Sequence, residues 1–510
     1  MPLLLTGATG YLGKHLLAGL LRTGHRVTAL IRGGDPARLL TALAPFELPS
    51  ALLAAPTLSV IAGDVTAPDC GLSDEARRRL AGDPPAAFLH CAGLTRFEAH
   101  LAAELQRHNV DGSRHAWQLS RALGVPVFHQ ISTAYVAGQA RRPPGADELD
   151  IGQTFNNPYE ASKFEAERWL RAAAAQAAAA LVVHRPSIVV GGHPIGENNA
   201  VSTLYTFMKA VQFIRECCRR DADRGRHAFA KLGFRRAGEN FHIPVRVAAN
   251  AASTVNLVAI EDVVDAVIDA LARPAAGPRC HVLTGVDLSI GEIARAITGT
   301  LRLSGVSLVD EQAFGIAPHN AIEAHFHRIT QVYLPYLFRS PAFPARPEAR
   351  AVDPAALTRD YLAQQGGRRQ RRAPVGDLAL GTLGIHAPRD YFSALVDGAI
   401  GRHFMARHDY VDATIGFALR GAAPCEITLR FDHGAATALA PADAAQADCR
   451  YELDAALFMR IVHGAADLRA AFLAGKVRIT GNLELALKFG ALLGLYYRHI
   501  DDHVIAELTA

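Results

Sequence analysis

The 510-residue sequence has little cysteine, few aromatic residues and no long uncharged apolar run. Its seven cysteines are odd in number and show no C-x-x-C spacing, which argues against a disulfide framework and indicates a reducing compartment. The longest weakly polar run, residues 172–183, is mostly alanine and too short to span a bilayer. The first apolar run begins at residue 3, which leaves no room for a signal peptide. We therefore expect a cytoplasmic protein.

A strong excess of charge is also missing. Lys and Arg total 53 against 49 Asp and Glu, a formal net charge of +4, which is too small to indicate nucleic-acid binding. Basic residues do cluster at 219–220, 235–236 and 368–372. We favour a solvated surface as the interpretation of these clusters. The alternative is attraction of an acidic acyl carrier protein, of coenzyme A phosphates or of anionic lipid during peripheral membrane contact.

The start of the chain is rich in glycine. The apolar run Leu3–Leu5 leads into TGATGYLG at residues 6–13 and then into a helical pattern from Lys14. A strand, a tight turn and a helix N-terminus in this order present backbone N–H groups to a dinucleotide pyrophosphate. The candidate cofactor-binding residues of this segment are Thr6, Gly7, Thr9, Gly10, Tyr11, Leu12 and Gly13.

Short apolar runs alternate with helical patterns over the first 190 residues, which predicts βαβ units. Six strands are predicted at 3–5, 27–31, 58–62, 87–90, 126–131 and 181–184, with helices that include 14–23, 100–123 and 159–180. This α/β pattern predicts a doubly wound, parallel Rossmann sheet. The pattern is irregular over roughly 192–252 and 301–365, where we expect a substrate lid. Together these segments form a predicted first domain, residues 1–365.

Residues 366–376 are rich in Gly, Arg and Pro and predict a basic linker. The predicted second domain, 377–510, has strand-like runs at 413–419, 427–431, 450–453 and 476–479 and a helix at 454–463. A long apolar helix runs from Leu483 to about Tyr497. A helix that is apolar around much of its circumference is buried or faces a lipid. For each single residue, ordinary core is the favoured interpretation, and no metal site is expected in either domain.

Residues after the next strands extend the nucleotide site. Arg32 ends the second strand, where an arginine suits the 2′-phosphate of NADP(H) and an acid would suit NAD. Asp64 and Val65 follow the third strand, and Asp64 either accepts a hydrogen bond from the adenine amine or caps a turn. The fourth strand is followed by three small residues, as a close approach to the cofactor requires: Cys91, Ala92 and Gly93.

A reaction centre for hydride transfer is predicted downstream. Tyr159 and Lys163 lie four residues apart at the start of a predicted helix, and Thr133 ends the fifth strand. We expect Lys163 to lower the pKa of Tyr159 so that it acts as a general acid near neutrality, while Thr133 bonds the developing oxyanion. The alternative for the Tyr-Lys pair is a surface contact. Asn109, on the helix after the fourth strand, is interpreted as structural.

These motifs together resemble an extended short-chain dehydrogenase/reductase over residues 1 to about 300. The motifs are TGATGYLG, HCAG at 90–93, NVDG at 109–112, STAYVAG at 132–138, the Tyr-x-x-x-Lys pair and RPSIV at 185–189. Thr133 and the segments 243–246 and 256–261 are similar to the thioester-reductase and fatty acyl-CoA reductase branch, although Ala259 and Glu261 depart from its Pro-Val-Asp ending. The resemblance adds Pro186, Ser187 and Ile188 to the cofactor-binding residues.

A second resemblance covers roughly residues 385–500. Residues 448–453, residues 473–482 and the helix 483–493 resemble the sterol carrier protein type 2 fold. That resemblance implies an α+β domain that holds a lipid in an apolar tunnel.

The two resemblances imply an NADPH-dependent reductase of a lipidic acyl thioester, carried by coenzyme A or an acyl carrier protein, with an aldehyde or alcohol as product. A hydroxysteroid-type dehydrogenase that uses NAD(P) on a ring alcohol or ketone is the alternative enzyme. A non-catalytic protein that binds cofactor and lipid is the alternative of another class. The presence of Thr133, Tyr159 and Lys163 together argues against it.

Overall fold

The computed structural model describes residues 1–192, 203–223, 230, 233–273, 277–316, 321–344, 346–371, 385–397, 413–432, 435–439, 447–462, 465–483, 485–486 and 489. The chain divides into two compact units. The first contains Met1–Arg219 and Leu232–Gln365, and the second contains Arg220–Lys231 and Gly366–Ala510.

The strands of the first unit are β1 (Pro2–Thr6), β2 (Arg26–Ile31), β3 (Leu58–Ala62), β4 (Ala87–His90), β5 (Val127–Ile131), β6 (Ala180–Pro186), β7 (Ile188–Val190), β8 (Arg235–Ala237), β9 (Asn240–Ala248), β10 (Thr254–Ala259), β11 (Arg279–Leu283), β12 (Val286–Ser289) and β13 (Leu303–Val309). The main sheet has the order β11-β6-β5-β4-β1-β2-β3. All of its neighbouring strands are parallel. The direction of winding reverses between β1 and β4, and ligands of doubly wound sheets bind at the carboxyl ends of the strands at this point.

The helices that begin in this unit are α1 (Tyr11–Arg22), α2 (Pro36–Leu43), α3 (Asp74–Gly82), α4 (Ala102–Leu105), α5 (Gly112–Ala122), α6 (Pro158–Gln176), α7 (Thr203–Asp223), α8 (Ile260–Ala272), α9 (Ile290–Thr300), α10 (Glu311–Ile316), α11 (Ala321–Thr330), α12 (Leu334–Phe338) and α13 (Pro354–Arg371). Successive β1 side chains face opposite sides of the sheet. Leu3 and Leu5 pack into a core with α1 and α8, whereas Leu4 packs into a core with α5 and α6. The central strand is therefore buried on both faces, as a parallel sheet requires.

The rest of the first unit is built around two small sheets, of order β12-β10-β7 and β13-β9-β8. β9 and β13 are parallel, and β8 pairs with β9 in a hairpin. A separate core joins β10, α7, α9 and α12, with Leu257, Tyr205, Ile293 and Leu337 among its buried members. The segments predicted as a lid thus contain strands and helices, and they share a core with β10 and α9.

The second unit contains α14 (Pro388–Asp397), β14 (Ala413–Arg420), β15 (Cys425–Asp432), β16 (Ala435–Ala438), β17 (Cys449–Asp454), α15 (Ala455–Val462), α16 (Leu468–Leu473) and β18 (Val477–Gly481). Its sheet has the order β16-β15-β14-β17-β18. Only β14 and β17 form a parallel pair among these described strands. Helices cover the sheet through an aromatic core in which the Phe392 ring lies 4.9 Å from Phe417 and 5.2 Å from Phe458. The α+β class predicted for this part is confirmed.

Several sequence predictions need correction. The six predicted strands are present, but β11 adds a seventh at the sheet edge, where a polar and only partly buried strand gives a weak apolar signal. The predicted helix 159–180 ends at Gln176, because Ala178 turns to φ +48° and Ala180 begins β6. The predicted helix 100–123 is interrupted by a π-helical segment, Gln106–Asp111.

The first half of the predicted linker is helical. Residues 366–371 continue helix α13, and residues 372–376 lie outside the described residues. Most of the long apolar helix predicted for 483–497 also lies outside them.

Gly13→Ala is expected to destabilise the first unit. A Cβ at position 13 would lie 2.0 Å from the Gly7 carbonyl oxygen, so β1 and α1 would have to separate, at about 1–3 kcal/mol. Urea unfolding followed by tryptophan fluorescence measures this, because both tryptophans, Trp117 and Trp169, belong to the first unit. Gly299→Ala on α9 is the matched control: a Cβ there meets nothing within 4 Å, and a gain of about 0.5–1 kcal/mol is expected. Equal stability of the two variants would contradict the packing argument.

Candidate active site

The turn between β1 and α1 lies against the loop that follows β4. Gly7 has φ +74°, and a Cβ there would lie 2.6 Å from the backbone nitrogen of Ala92. The Gly10 N–H donates to the Gly7 carbonyl oxygen at 2.9 Å and closes the turn, with Thr9 partly buried inside it. The glycines are needed here because the backbone at the switch point leaves no room for a side chain.

Helix α1 begins without a capping side chain. Gly10 is its exposed N-cap residue, and the first N–H groups of a helix have no intrahelical partner. The N–H groups of Tyr11, Leu12 and Gly13 are therefore directed at the crevice. A donor set of this kind, together with the positive end of the helix dipole, fits a dinucleotide pyrophosphate.

The Tyr11 side chain points away from this role. Its hydroxyl donates to the Gly191 carbonyl oxygen at 2.6 Å, and the Gly191 N–H donates to the Tyr205 hydroxyl at 3.0 Å. Burial raises the pKa of Tyr11 above its ordinary value. Tyr11 thus offers the candidate site its backbone, and its ring ties the turn to α7.

The loop after β4 forms the opposite wall. Buried Thr6 bridges the two strands, because its Oγ1 lies 2.8 Å from His90 Nδ1 and accepts from the Ala92 N–H at 3.2 Å. Burial raises the pKa of the Cys91 thiol to about 12, so it is neutral at pH 7. A Cβ at Gly93 would lie 3.0 Å from Lys163 Nζ. The small residues predicted here bring the loop into contact with the predicted reaction centre.

The predicted cofactor-binding residues after β2 and β3 differ in exposure and in hydrogen bonding. Arg32 is exposed directly after β2. Asp64 accepts from both the N–H and the hydroxyl of Thr66 at 2.9 Å, which is the turn-capping alternative stated for it. Burial opposes ionisation of Asp64, but these bonds and the charge of Arg32 lower its pKa. Val65 is buried against Gly112, so it can offer a ligand little beyond its backbone.

Thr133, Tyr159 and Lys163 converge at the carboxyl end of β5. Tyr159 and Lys163 lie on the first two turns of α6, which Asn157 caps by accepting from the Glu160 N–H at 3.1 Å. Lys163 Nζ donates to the Ile131 carbonyl oxygen at 3.0 Å. The Thr133 and Thr95 hydroxyls are both hydrogen-bond partners of Tyr159. The strand end and the cap thus place all three predicted catalytic side chains in one cluster.

Burial sets the protonation of this cluster. It raises the pKa of Tyr159 to about 12, although the bonds with Thr95 and Thr133 act in the opposite direction. It also lowers the pKa of Lys163 to about 8. The expectation that Lys163 brings the pKa of Tyr159 close to neutrality is therefore wrong, because withdrawal of the phenolate from water outweighs its favourable partners. Tyr159 holds its proton at pH 7, as a proton donor must.

The segment after β6 supplies an unusual polar atom. Pro186 ends β6, and its carbonyl oxygen lies 3.4 Å from the Thr133 hydroxyl, while Ile188 begins β7. Ser187 is buried, and its Oγ has no hydrogen-bond partner among the described residues. A buried hydroxyl without a partner is costly, and a polar ligand in the crevice would satisfy it. Ser187 is the second feature, after the glycine turn, that fits a bound nucleotide.

Sequence reasoning missed a set of side chains that pack next to Tyr159. The Tyr336 hydroxyl donates to the buried carboxylate of Glu160 and accepts from Asn157 Nδ2 at 2.7 Å. The Phe97 ring lies 5.5 Å from the Tyr159 ring and 5.7 Å from the Tyr336 ring. The only signal in the sequence was Glu160, which directly follows Tyr159 at the start of a predicted helix. Its partner, Tyr336, lies 176 residues away in the sequence.

The structural interpretation of Asn109 is confirmed. Its Oδ1 accepts from the Leu94 N–H at 2.7 Å, and its Nδ2 donates to the Leu94 carbonyl oxygen and to Ser162 Oγ, both at 2.9 Å. Asn109 therefore ties the loop after β4 to α6, and it sets the distance between Gly93 and Lys163.

Comparison with known proteins places both parts of the chain. Residues 5–224 match the family model described as male sterility protein, and residues 405–494 match the SCP-2 sterol transfer family. The two matched segments follow one another along the chain and do not overlap. Both resemblances stated for the sequence are confirmed.

Curated relatives are much longer proteins. The polyketide synthase-nonribosomal peptide synthetase ACE1 of Pyricularia oryzae is 28% identical over 240 residues, which are 45% of this chain and 6% of ACE1. An isonitrile lipopeptide synthase of Streptomyces coeruleorubidus is 30% identical over 219 residues, which are 41% of this chain and 14% of that protein. This chain therefore corresponds to a small part of either relative.

A solved structure shares the fold. The terminal R domain from the myxalamid PKS-NRPS biosynthetic pathway superposes with a TM-score of 0.56 and 21% identity, over 73% of this chain and 92% of that domain. Within the described ranges, no group of three or more His, Cys, Asp or Glu is placed to hold a metal ion. Over the same ranges, no helix has both the length and the apolarity needed to cross a membrane.

Lys163→Met tests the energetic effect of the buried ammonium. The folded pKa of about 8 lies below the ordinary 10.5, so the charge destabilises the fold below pH 8, and this penalty fades as the pH rises to about 10.5. At pH 7, removal of the buried charge should stabilise the variant by up to about 3 kcal/mol. Loss of the hydrogen bond to Ile131 should reduce this gain by about 1 kcal/mol.

Urea unfolding of the wild type and the variant, followed by tryptophan fluorescence from pH 7 to 10.5, gives this difference directly. The advantage of the variant must shrink across that range. A difference that stays constant with pH would show that the Lys163 ammonium is not desolvated.

Proposed function

We propose that this chain is an NADPH-dependent reductase of a lipidic acyl thioester, carried by coenzyme A or an acyl carrier protein, with an aldehyde or alcohol as product. The observation that carries the proposal is the convergence of Thr133, Tyr159 and Lys163 beside the glycine turn, at the point where the sheet reverses its winding. The match to the male sterility family model and the similarity to polyketide synthase-nonribosomal peptide synthetases support the proposal.

The residues present fit a nicotinamide dinucleotide. The N–H groups at the start of α1 would hold its pyrophosphate, and exposed Arg32 would pair with a 2′-phosphate. Ser187 Oγ and Lys163 Nζ lie where polar groups of the nicotinamide half would be needed. The bound nicotinamide supplies the hydride for the substrate carbonyl carbon.

The side chains of the cluster act on the carbonyl oxygen. Thr133 and Tyr159 donate hydrogen bonds to it as negative charge develops, in a buried environment where such bonds are strong. Tyr159, with its pKa near 12, transfers its proton to the oxygen of the tetrahedral adduct. Lys163 carries positive charge at pH 7 and stabilises the tyrosinate that this transfer leaves. Breaking of the C–S bond then releases the thiol and an aldehyde.

The SCP-2 segment supports a lipidic substrate, since an acyl chain needs a carrier or an apolar site away from water. We propose that this segment holds or delivers the lipid. A cytoplasmic location and transient contact with a membrane surface are part of the same proposal.

The decisive experiment follows NADPH oxidation and free thiol together, with a panel of long-chain acyl-CoA thioesters. We expect equal amounts of NADPH consumed and thiol released, and a loss of at least 100-fold in kcat for Tyr159→Phe, because the proton donor is removed. Tyr391→Phe, a buried tyrosine of the second unit, is the matched control and should keep full activity.

Turnover of a ring alcohol or ketone, with no thiol released from any thioester, would instead establish the hydroxysteroid-type dehydrogenase. Binding of NADPH without turnover of either substrate class would favour a non-catalytic role.

Cofactor preference is tested by Arg32→Ala. Removing the guanidinium should raise the Kd of NADPH by about 10–100-fold, the range of a lost charge-assisted bond to phosphate. The Kd of NADH should change little. Arg38→Ala, an exposed arginine on neighbouring α2, is the control. Fluorescence titration of both cofactors measures this, and equal weakening of NADPH and NADH would rule out a 2′-phosphate contact.

A further inference from the structure

We propose that the first unit has its own binding site for the alkyl chain of the acyl thioester, in a partly open apolar cavity near the candidate reaction centre. This inference rests on the proposed function and specifies its substrate. The cavity lies between α7, α9 and α12 and the strands β9, β10 and β13, entirely within the first unit.

The walls of the cavity are hydrocarbon. Each surrounding element contributes an aliphatic or aromatic side chain, such as Phe207 from α7, Val247 from β9, Leu257 from β10, Ile297 from α9, Leu308 from β13 and Leu337 from α12. A well-packed core of this size would contain few voids larger than a water molecule. The space between these side chains is therefore available to a ligand of matching chemistry.

The polar groups of the wall are already engaged. Thr298 donates its hydroxyl to the Ala294 carbonyl oxygen at 2.8 Å, and Tyr336 donates its hydroxyl to Glu160. The remaining side chains that line the cavity carry no polar atom. A sugar or a charged group would lose its bonds to water here without replacement, so the wall selects an apolar occupant.

The cavity lies close to Tyr159, with the Phe97 ring between Tyr159 and the cavity wall. Tyr336 lines it, and the Phe97 ring touches both Tyr336 and Tyr159, at 5.7 Å and 5.5 Å. Ile188 lines it as well and directly follows Ser187. The cavity therefore lies close enough to Tyr159 for the alkyl chain of a thioester bound there to extend into it.

The cavity is several times larger than a void that holds one water molecule. Its volume is about 90 Å³, against about 10–15 Å³ for a single water. It therefore has room for several carbons of an acyl chain.

The test is a series of acyl N-acetylcysteamine thioesters with 2, 4, 6, 8 and 12 carbons, assayed with the full chain. Burial of each methylene should raise kcat/KM about fourfold, until the cavity is full and further carbons add nothing. Ala294→Leu places a larger side chain in the cavity wall. We expect it to lower kcat/KM for the octanoyl thioester at least tenfold and to leave the acetyl thioester unchanged.

Arg295→Leu is the matched control, since it introduces the same side chain on the same helix at an exposed position. It should leave the chain-length series unchanged. Turnover that does not depend on chain length, or equal effects of the two variants, would overturn the inference while leaving the proposed function intact.

A binding measurement separates the two proposals. The octyl thioether of N-acetylcysteamine is not reducible, and its affinity is measured by calorimetry with the wild type and both variants. Weakening by Ala294→Leu alone supports the cavity even where no thioester is reduced, in which case only the proposed reaction fails. Identical binding by all three proteins, together with absent turnover, would overturn both.

Discussion

The close approach of two backbone segments at the centre of the main sheet determines the rest of the first unit. The turn after β1 and the loop after β4 touch at Gly7 and Ala92, where a single Cβ would not fit. This contact sets the width of the crevice, and Thr6 locks it by bonding to His90 and to the Ala92 N–H. Because the same loop reaches Lys163 through Gly93, the nucleotide cradle and the reaction centre share one wall.

Burial also determines the chemistry of that wall. Tyr159 keeps its proton because a phenolate is poorly solvated there, and Lys163 is close to losing its proton for the same reason. In the proposed reaction, the charged Lys163 would stabilise the tyrosinate that forms when Tyr159 gives up its proton.

The sequence alone was sufficient to predict the features that depend on a local residue pattern. The glycine turn, six of the seven strands of the main sheet and the Tyr-x-x-x-Lys spacing depend on neighbours a few residues apart, and the structure has these strands where the apolar runs predicted them. The seventh strand was missed because β11 is polar and only partly buried. The partnership of Glu160 with Tyr336 was also missed, because packing rather than periodicity brings α12 to the start of α6.

The same distinction explains the errors in the candidate site. The pKa of Tyr159 depends on how much water surrounds it, which spacing along a helix does not report. Asp64 had two interpretations that its neighbours could not separate, and the structure shows the turn-capping bonds from Thr66 to its Oδ1.

The hydroxyl of Tyr11 connects two regions that would otherwise be independent. Through Gly191 and Tyr205 it joins the first turn of α1 to the start of α7, and α7 contributes Leu204 and Phe207 to the apolar cavity. A nucleotide bound as proposed at the first turn of α1 would therefore also restrict the motion of one wall of the cavity. In the proposed reaction this would favour an order in which the cofactor binds first and the acyl chain second.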